Sequence, residues 1–139
     1  MTTVQIPDEV KPVLRNGIPA ILVTCSAAGV PNTTIISQVY WVDDRHVALS
    51  FQFFNKTVRN VRENPNASLC VMDLDGYNDW LMQIRYDHSE TDGPIFDEME
   101  MQIEAIASAT GMSGIFTLRA ADIYSVQSVD KILGARGSA

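Results

Sequence analysis

Asn55, Lys56 and Thr57 stand where a strand-like run gives way to a helix-like one, and their chemistry converges on phosphate. The first amides of a helix lack intrahelical acceptors, and the dipole makes that end positive. Asn55 caps the start, while Thr57 adds a hydroxyl and Lys56 an ammonium, which together make an anion site. Lys56, Arg59 and Arg62 are three of only ten basic residues in a chain of net charge −7. An ordinary capped helix with solvated basic residues remains the alternative that local chemistry alone leaves open.

The elements that position this junction can be read from periodicity. Val47, Leu49, Phe51 and Phe53 alternate with His46, Ala48, Ser50 and Gln52, the period of a strand, and Asn64-Pro65 closes the short helix that follows. Upstream, residues 7–15 read as an amphipathic helix with Val10, Val13 and Leu14 on its apolar side, ended by Gly17. Ile18–Ser26 is a strand apolar on both faces, which implies a central position in a sheet. Gly29, Pro31 and Asn32 turn the chain into a second strand, Thr33–Val42, where Ser37 and Gln38 interrupt an apolar run and face either solvent or a ligand.

Downstream, Ala67–Asp73 and Asp79–Ser89 read as strands separated by an Asp75-Gly76 turn. A helix starts at Asp92-Gly93-Pro94, carries Phe96, Met99, Ile103 and Ile106 as its apolar stripe, and stops at Gly111. Met99 and Met101 are expected in core packing rather than as a ligand box. Ile115–Val129 is the last long strand, bent near Ala120-Ala121-Asp122, and the small polar tail from Gly134 is expected to be disordered. Six strands with short turn signals imply a barrel or sandwich, mainly β with a few helices; periodicity does not choose between the two.

The 139 residues fit one domain, 1–139, and 46 % apolar with 19 % charged residues is a globular composition. The acidic balance argues against a nucleic-acid surface, which needs a broad basic face. No apolar run reaches the length of a bilayer span and the start has no signal-peptide pattern, so a soluble cytoplasmic protein is expected. Cys25 and Cys70 lie in apolar strands and read as buried free thiols. With two histidines and no Cys/His spacing, no metal site is expected. His46 reads as a turn residue. His88, beside Asp87 and Glu90, is the better candidate for a base, but no catalytic constellation stands out.

The run Ser50-Phe51-Gln52-Phe53-Phe54-Asn55-Lys56-Thr57, with Arg59-Asn60 and Glu63-Asn64-Pro65 after it, resembles the flavin-phosphate segment of the pyridoxamine 5′-phosphate oxidase-like family of FMN-binding split barrels. Ala105–Met112, Phe116–Arg119 and Ala121–Tyr124 also resemble that family, so the likeness covers roughly residues 15–129. It implies a six-stranded antiparallel split barrel with FMN as cofactor. By position it assigns the phosphate to Lys56 and Thr57, with Asn55 where many members carry arginine. Ribityl and ring fall to Ser50, Phe51, Gln52 and Phe53, and Ser37, Gln38 and Val39 lie beside the ring.

The resemblance further implies a homodimer with FMN in a cleft between subunits, to which Trp80, Gln83 and Arg119 of a second copy contribute. The apolar rows Ile35/Val39/Trp41 and Trp80/Met82/Ile84 are expected to exceed what one small barrel buries. A protein whose chemistry resides in the cofactor needs no catalytic side chain of its own. True pyridox(am)ine-phosphate oxidases carry a C-terminal segment with Trp, Arg, Leu, His or Arg, and Asp-Arg. The run Ser128–Ala139 has nothing comparable, so pyridoxine 5′-phosphate is not the expected substrate. The leading function is a flavin-dependent oxidoreductase acting on a small molecule. A flavin-binding or redox-sensing module without turnover is the second, and a deazaflavin- or haem-binding relative the third.

Overall fold

A computed structural model describes residues 4–14, 18–36, 39–51, 55–73, 78–109, 111, 114 and 117–133; the side chains of Phe51, Asn55 and Leu133 are outside the description. The order is α1 (Lys11–Leu14), β1 (Ala20–Cys25), β2 (Pro31–Ile36), β3 (Val39–Asp43), β4 (His46–Phe51), α2 (Asn55–Glu63), β5 (Asn66–Asp73), β6 (Asn78–Glu90), α3 (Pro94–Ala109) and β7 (Ala120–Leu133). The expected strand Thr33–Val42 is two strands here. Its first half pairs with β1 and its second with β4, a change of partner that no alternation of side chains encodes. Gly17, Phe54, Asp75-Gly76 and the tail from Gly134 lie outside the described residues.

All pairings are antiparallel, in the order β2-β1-β5-β6-β7-β4-β3. Laid flat, seven strands would put β2 and β3 about 29 Å apart. Yet β2 ends at Ile36 and β3 starts at Val39, and three peptide units reach about 11 Å at most. The sheet is therefore rolled until its edges approach each other, a barrel split along one seam. Counted as one strand that changes partners, β2 and β3 recover the expected six.

The rolled sheet has two cores. Inside lie Leu22, Ile36, Val39, Leu49, Leu69, Met82, Ile84, Tyr124 and Val126, with Val10, Val13 and Leu14 of the α1 region packed against them. Outside, Met99 and Ile103 of α3 cover Ala48, Ala121 and Ile123. The buried stripe of α3 runs Met99, Ile103, Ala107, one residue every four. Ile106, expected in that stripe, is exposed, because a strict four-residue step turns its direction away from the sheet. Gly111 adopts φ 73°, the left-handed conformation that stops a helix at little cost in glycine.

The apolar rows expected to overflow one barrel do not. Val39, Trp80, Met82 and Ile84 are buried in the inner core, and Trp41 packs against it. Only Ile35 of those residues stands out, at 71 % exposure. It is opposite Ile21, which pairs with Cys70, which in turn pairs with Leu81. An apolar row thus crosses the outer face of β2, β1, β5 and β6, the side away from α3.

Candidate functional site

Helix α2 lies across β1 and β2 and presents Thr57, Asn60 and Val61 inward, at i, i+3 and i+4. Two of these three are polar. The Asn60 side-chain amide donates to Thr24 Oγ1 at 3.1 Å, and the Asn32 amide donates to Thr57 Oγ1 at 3.4 Å. Thr24 and Asn32 are directly opposite each other in the β1–β2 ladder. One cross-strand pair therefore grips two successive turns of the helix. Buried polar groups need such partners, and their directionality fixes the rotation of α2 about its own axis.

Thr57 is 4 % exposed, and its hydroxyl oxygen receives the Asn32 amide, which leaves the hydroxyl proton for another acceptor. Lys56 is exposed at the same helix start, and the first turn of α2 carries no acidic residue. Asn55 opens the helix and Phe51 ends β4 opposite Ala120 of β7. Ser50 is buried under α3, beside Tyr40, Met99 and Ile103. Val39 faces the inner core. Ser37, Gln38, Gln52 and Phe53 lie outside the described residues.

The residues assigned to a second copy are spread out. Trp80 belongs to the inner core, with the Lys131 ammonium 5.2 Å from its ring centroid and its indole N–H buried without a partner. Gln83 is exposed on β6 and accepts the Ser68 hydroxyl at 2.7 Å. Arg119 lies at the other end of the structure's sheet register, next to Ala120 where β7 begins, and it joins α2 in lining a cleft of about 220 Å³.

That cleft went unread in the sequence. Val58, Val61 and Arg62 of α2, Tyr86 and Ser89 of β6, and Arg119 and Asp122 line it. Asp122 points to the inner side of β7, in the alternation that also turns Tyr124 and Val126 inward. It is 8 % exposed. Ser89, its cross-strand partner, donates its hydroxyl to Asp122 Oδ1 at 2.6 Å, and the Tyr86 hydroxyl lies 2.5 Å from that of Ser89. Burial pushes the Asp122 carboxyl above the usual range, against the Ser89 hydrogen bond and the nearby Arg62 charge. Tyr124, stacked edge-on with Tyr86 at 5.6 Å, is also raised, by burial first. The one available signal was a carboxylate inside an otherwise apolar run.

His88 is exposed on β6, its ring nitrogens 2.6 Å from Asp87 and 2.9 Å from Glu90. Those carboxylates, Glu90 foremost, raise its pKa. His46 contacts Asp43 at 2.8 Å in the β3–β4 turn. Both cysteines are free and half-buried. Among the described residues no His/Cys/Asp/Glu group could hold a metal, and no helix is long and apolar enough to cross a membrane.

The sequence model of pyridoxamine 5′-phosphate oxidase matches residues 6–127, from before α1 to well into β7. The chain belongs to that family. Proteins of known structure share its fold at low identity. An FMN-binding protein from Syntrophomonas wolfei subsp. wolfei superposes with a TM-score of 0.78 at 14 % identity, over 91 % of this chain and 85 % of that one. An F420 reductase gives 0.66 at 14 %, over 90 % and 98 %. HutZ, the heme storage protein of Vibrio cholerae, gives 0.61 at 16 %, over 94 % and 98 %. The fold is thus shared by an FMN-binding protein, an F420 reductase and a heme storage protein. A comparison with curated proteins finds no match.

Proposed function

We propose that this family member is a flavoprotein that holds FMN by its phosphate at the start of α2 and serves oxidation or reduction of a small molecule. The observation that carries the reading is Thr57. Its hydroxyl is buried and aligned by Asn32, with its proton still to give, at a helix start that has a lysine and no acid in its first turn. A phosphate satisfies all of these groups at once. When bound, the flavin supplies hydride or electron transfer, and the chain supplies placement. Lys56, Thr57 and the cap Asn55 hold the phosphate in this reading. Ser50–Phe53 and the backbone of Ser37–Val39 line the ribityl chain and ring.

A second copy completes the cleft in this reading, and Gln83 and Arg119 are the exposed ones among the residues assigned to it. The outer row Ile35, Ile21, Cys70, Leu81 is the surface such a copy would cover. A self-complementary contact of on the order of 2,000 Å² is expected. Light scattering of the cofactor-loaded protein should report a dimer at micromolar concentration, and a monomer would contradict it.

The fold likeness to a heme storage protein and an F420 reductase favours a second reading, in which a different cofactor occupies the barrel. The absorption spectrum of the purified protein, with the mass of the released cofactor, separates these. A flavin spectrum and the mass of FMN are expected. A haem spectrum or a deazaflavin mass would overturn the proposal. NAD(P)H consumption with generic electron acceptors then separates an enzyme from a flavin-binding module.

A further inference from the structure

The cleft between α2 and the β6–β7 end of the barrel has an internal polarity that the flavin reading does not use. Arg62 and Arg119, both exposed, line it, and neither forms an ion pair with another described residue. The Asp122 carboxylate lines it too, near enough to feel the Arg62 charge, and has room for about four hydrogen bonds. Ser89 is its one side-chain donor among the described residues. Because Ser89 spends its proton on Asp122, Tyr86 donates to Ser89, and this relay holds the carboxylate in place without neutralising it. Val58, Val61 and Ala120 supply apolar wall to the same cleft. A buried carboxylate with spare acceptors costs stability unless a donor reaches it.

We propose that this cleft binds a small zwitterion, its oxyanion held between Arg62 and Arg119 and its ammonium directed to Asp122. Guanidinium groups favour carboxylate and phosphate oxygens, and the opposite pole selects a positively charged donor. The volume of about 220 Å³ lies below the range of sites for drug-sized ligands, so the ligand has few heavy atoms. The oxyanion belongs to an amino acid-like carboxylate or to a phosphate monoester; the two share the chemistry and differ in the test. Lys56 and Thr57 do not line this cleft, and Arg119 is the one residue that the flavin reading also uses, so Arg62 and Asp122 carry the proposal apart from that reading.

The probes are O-phosphoethanolamine and β-alanine, with inorganic phosphate and ethanolamine as single-pole controls, titrated into the cofactor-loaded protein and followed by NMR. Saturable binding of one zwitterion is expected, tighter than either control. Phosphoethanolamine winning assigns a phosphate ligand and β-alanine a carboxylate. Arg62→Ala and Arg119→Ala, at exposed positions that leave the fold intact, should each weaken binding at least about tenfold. Asp122→Asn should erase the advantage of phosphoethanolamine over inorganic phosphate, and Arg45→Ala, at an exposed turn outside the cleft, should change nothing. No saturation by either zwitterion below about 10 mM, or binding unchanged in both Arg62→Ala and Arg119→Ala, would overturn the proposal.

Discussion

The two longer helices of this protein are attached by opposite means. Helix α3 lies on the outside of the sheet and is held by area, through Met99, Ile103 and Ala107 on an apolar patch. Helix α2 is shorter and turns Thr57 and Asn60 toward the sheet, each gripped by a hydrogen bond. Apolar burial is non-directional and tolerates small rotations, whereas hydrogen bonds weaken steeply off axis. The helix that carries the proposed phosphate site is thus the one whose rotation is specified. The Tyr40 hydroxyl, donating to Glu98 at 2.6 Å, is an exposed polar tie on α3 and does not change its character.

The contrast can be broken by mutation, and the largest effect belongs to α3. Met99→Ala should cost about 2–5 kcal/mol of stability, the usual range for a buried methionine. Its denaturation midpoint should drop while FMN affinity stays unchanged below the transition. Asn60→Ala should cost about 1–3 kcal/mol, because the Thr24 hydroxyl loses its partner in a buried place. Unlike the α3 variant it should also weaken FMN, since the first turn of α2 is no longer held in rotation. Equal FMN affinity for Asn60→Ala and wild type would mean that α2, too, is held by area alone.

Much of this arrangement could be read from residue spacing. The alternation from His46 to Phe51, the inward side of α1, the Met99–Ile103 step and the stop at Gly111 all follow from local periodicity and turn chemistry. The grip on α2 was not legible, although Thr57 and Asn60 are three apart on one face. Their partners Thr24 and Asn32 are brought together by the β1–β2 register, and register is a property of the ladder rather than of either strand. The split of Thr33–Val42 into β2 and β3 is likewise a change of neighbours. Asp122 is hidden in the sequence because Ala120-Ala121-Asp122 reads as a bend. In the ladder it is an inward position between Leu49 and Ser89.

A smaller effect follows from Asp122, whose carboxyl is raised by burial. A carboxyl with a raised folded pKa binds protons in the folded state where the unfolded chain has lost them. Stability therefore falls as pH climbs from the ordinary aspartate value to the raised one, and is then flat. Asp122→Asn removes that slope, so its stability relative to wild type should be more favourable at pH 7 than at pH 4. Urea midpoints at the two pH values measure this. A difference of opposite sign would mean that the carboxylate is stabilised where it sits.

The central claim is that the start of α2 is a phosphate site, and Lys56→Ala tests it with almost no effect on the fold. Lys56 is exposed, so the denaturation midpoint of the cofactor-free protein should match wild type. FMN and riboflavin share ring and ribityl chain and differ by the phosphate alone. Titrated into wild-type and variant protein, FMN should lose roughly ten- to a hundredfold in affinity while riboflavin hardly changes. Equal losses for the two ligands, or no loss for either, would contradict the account.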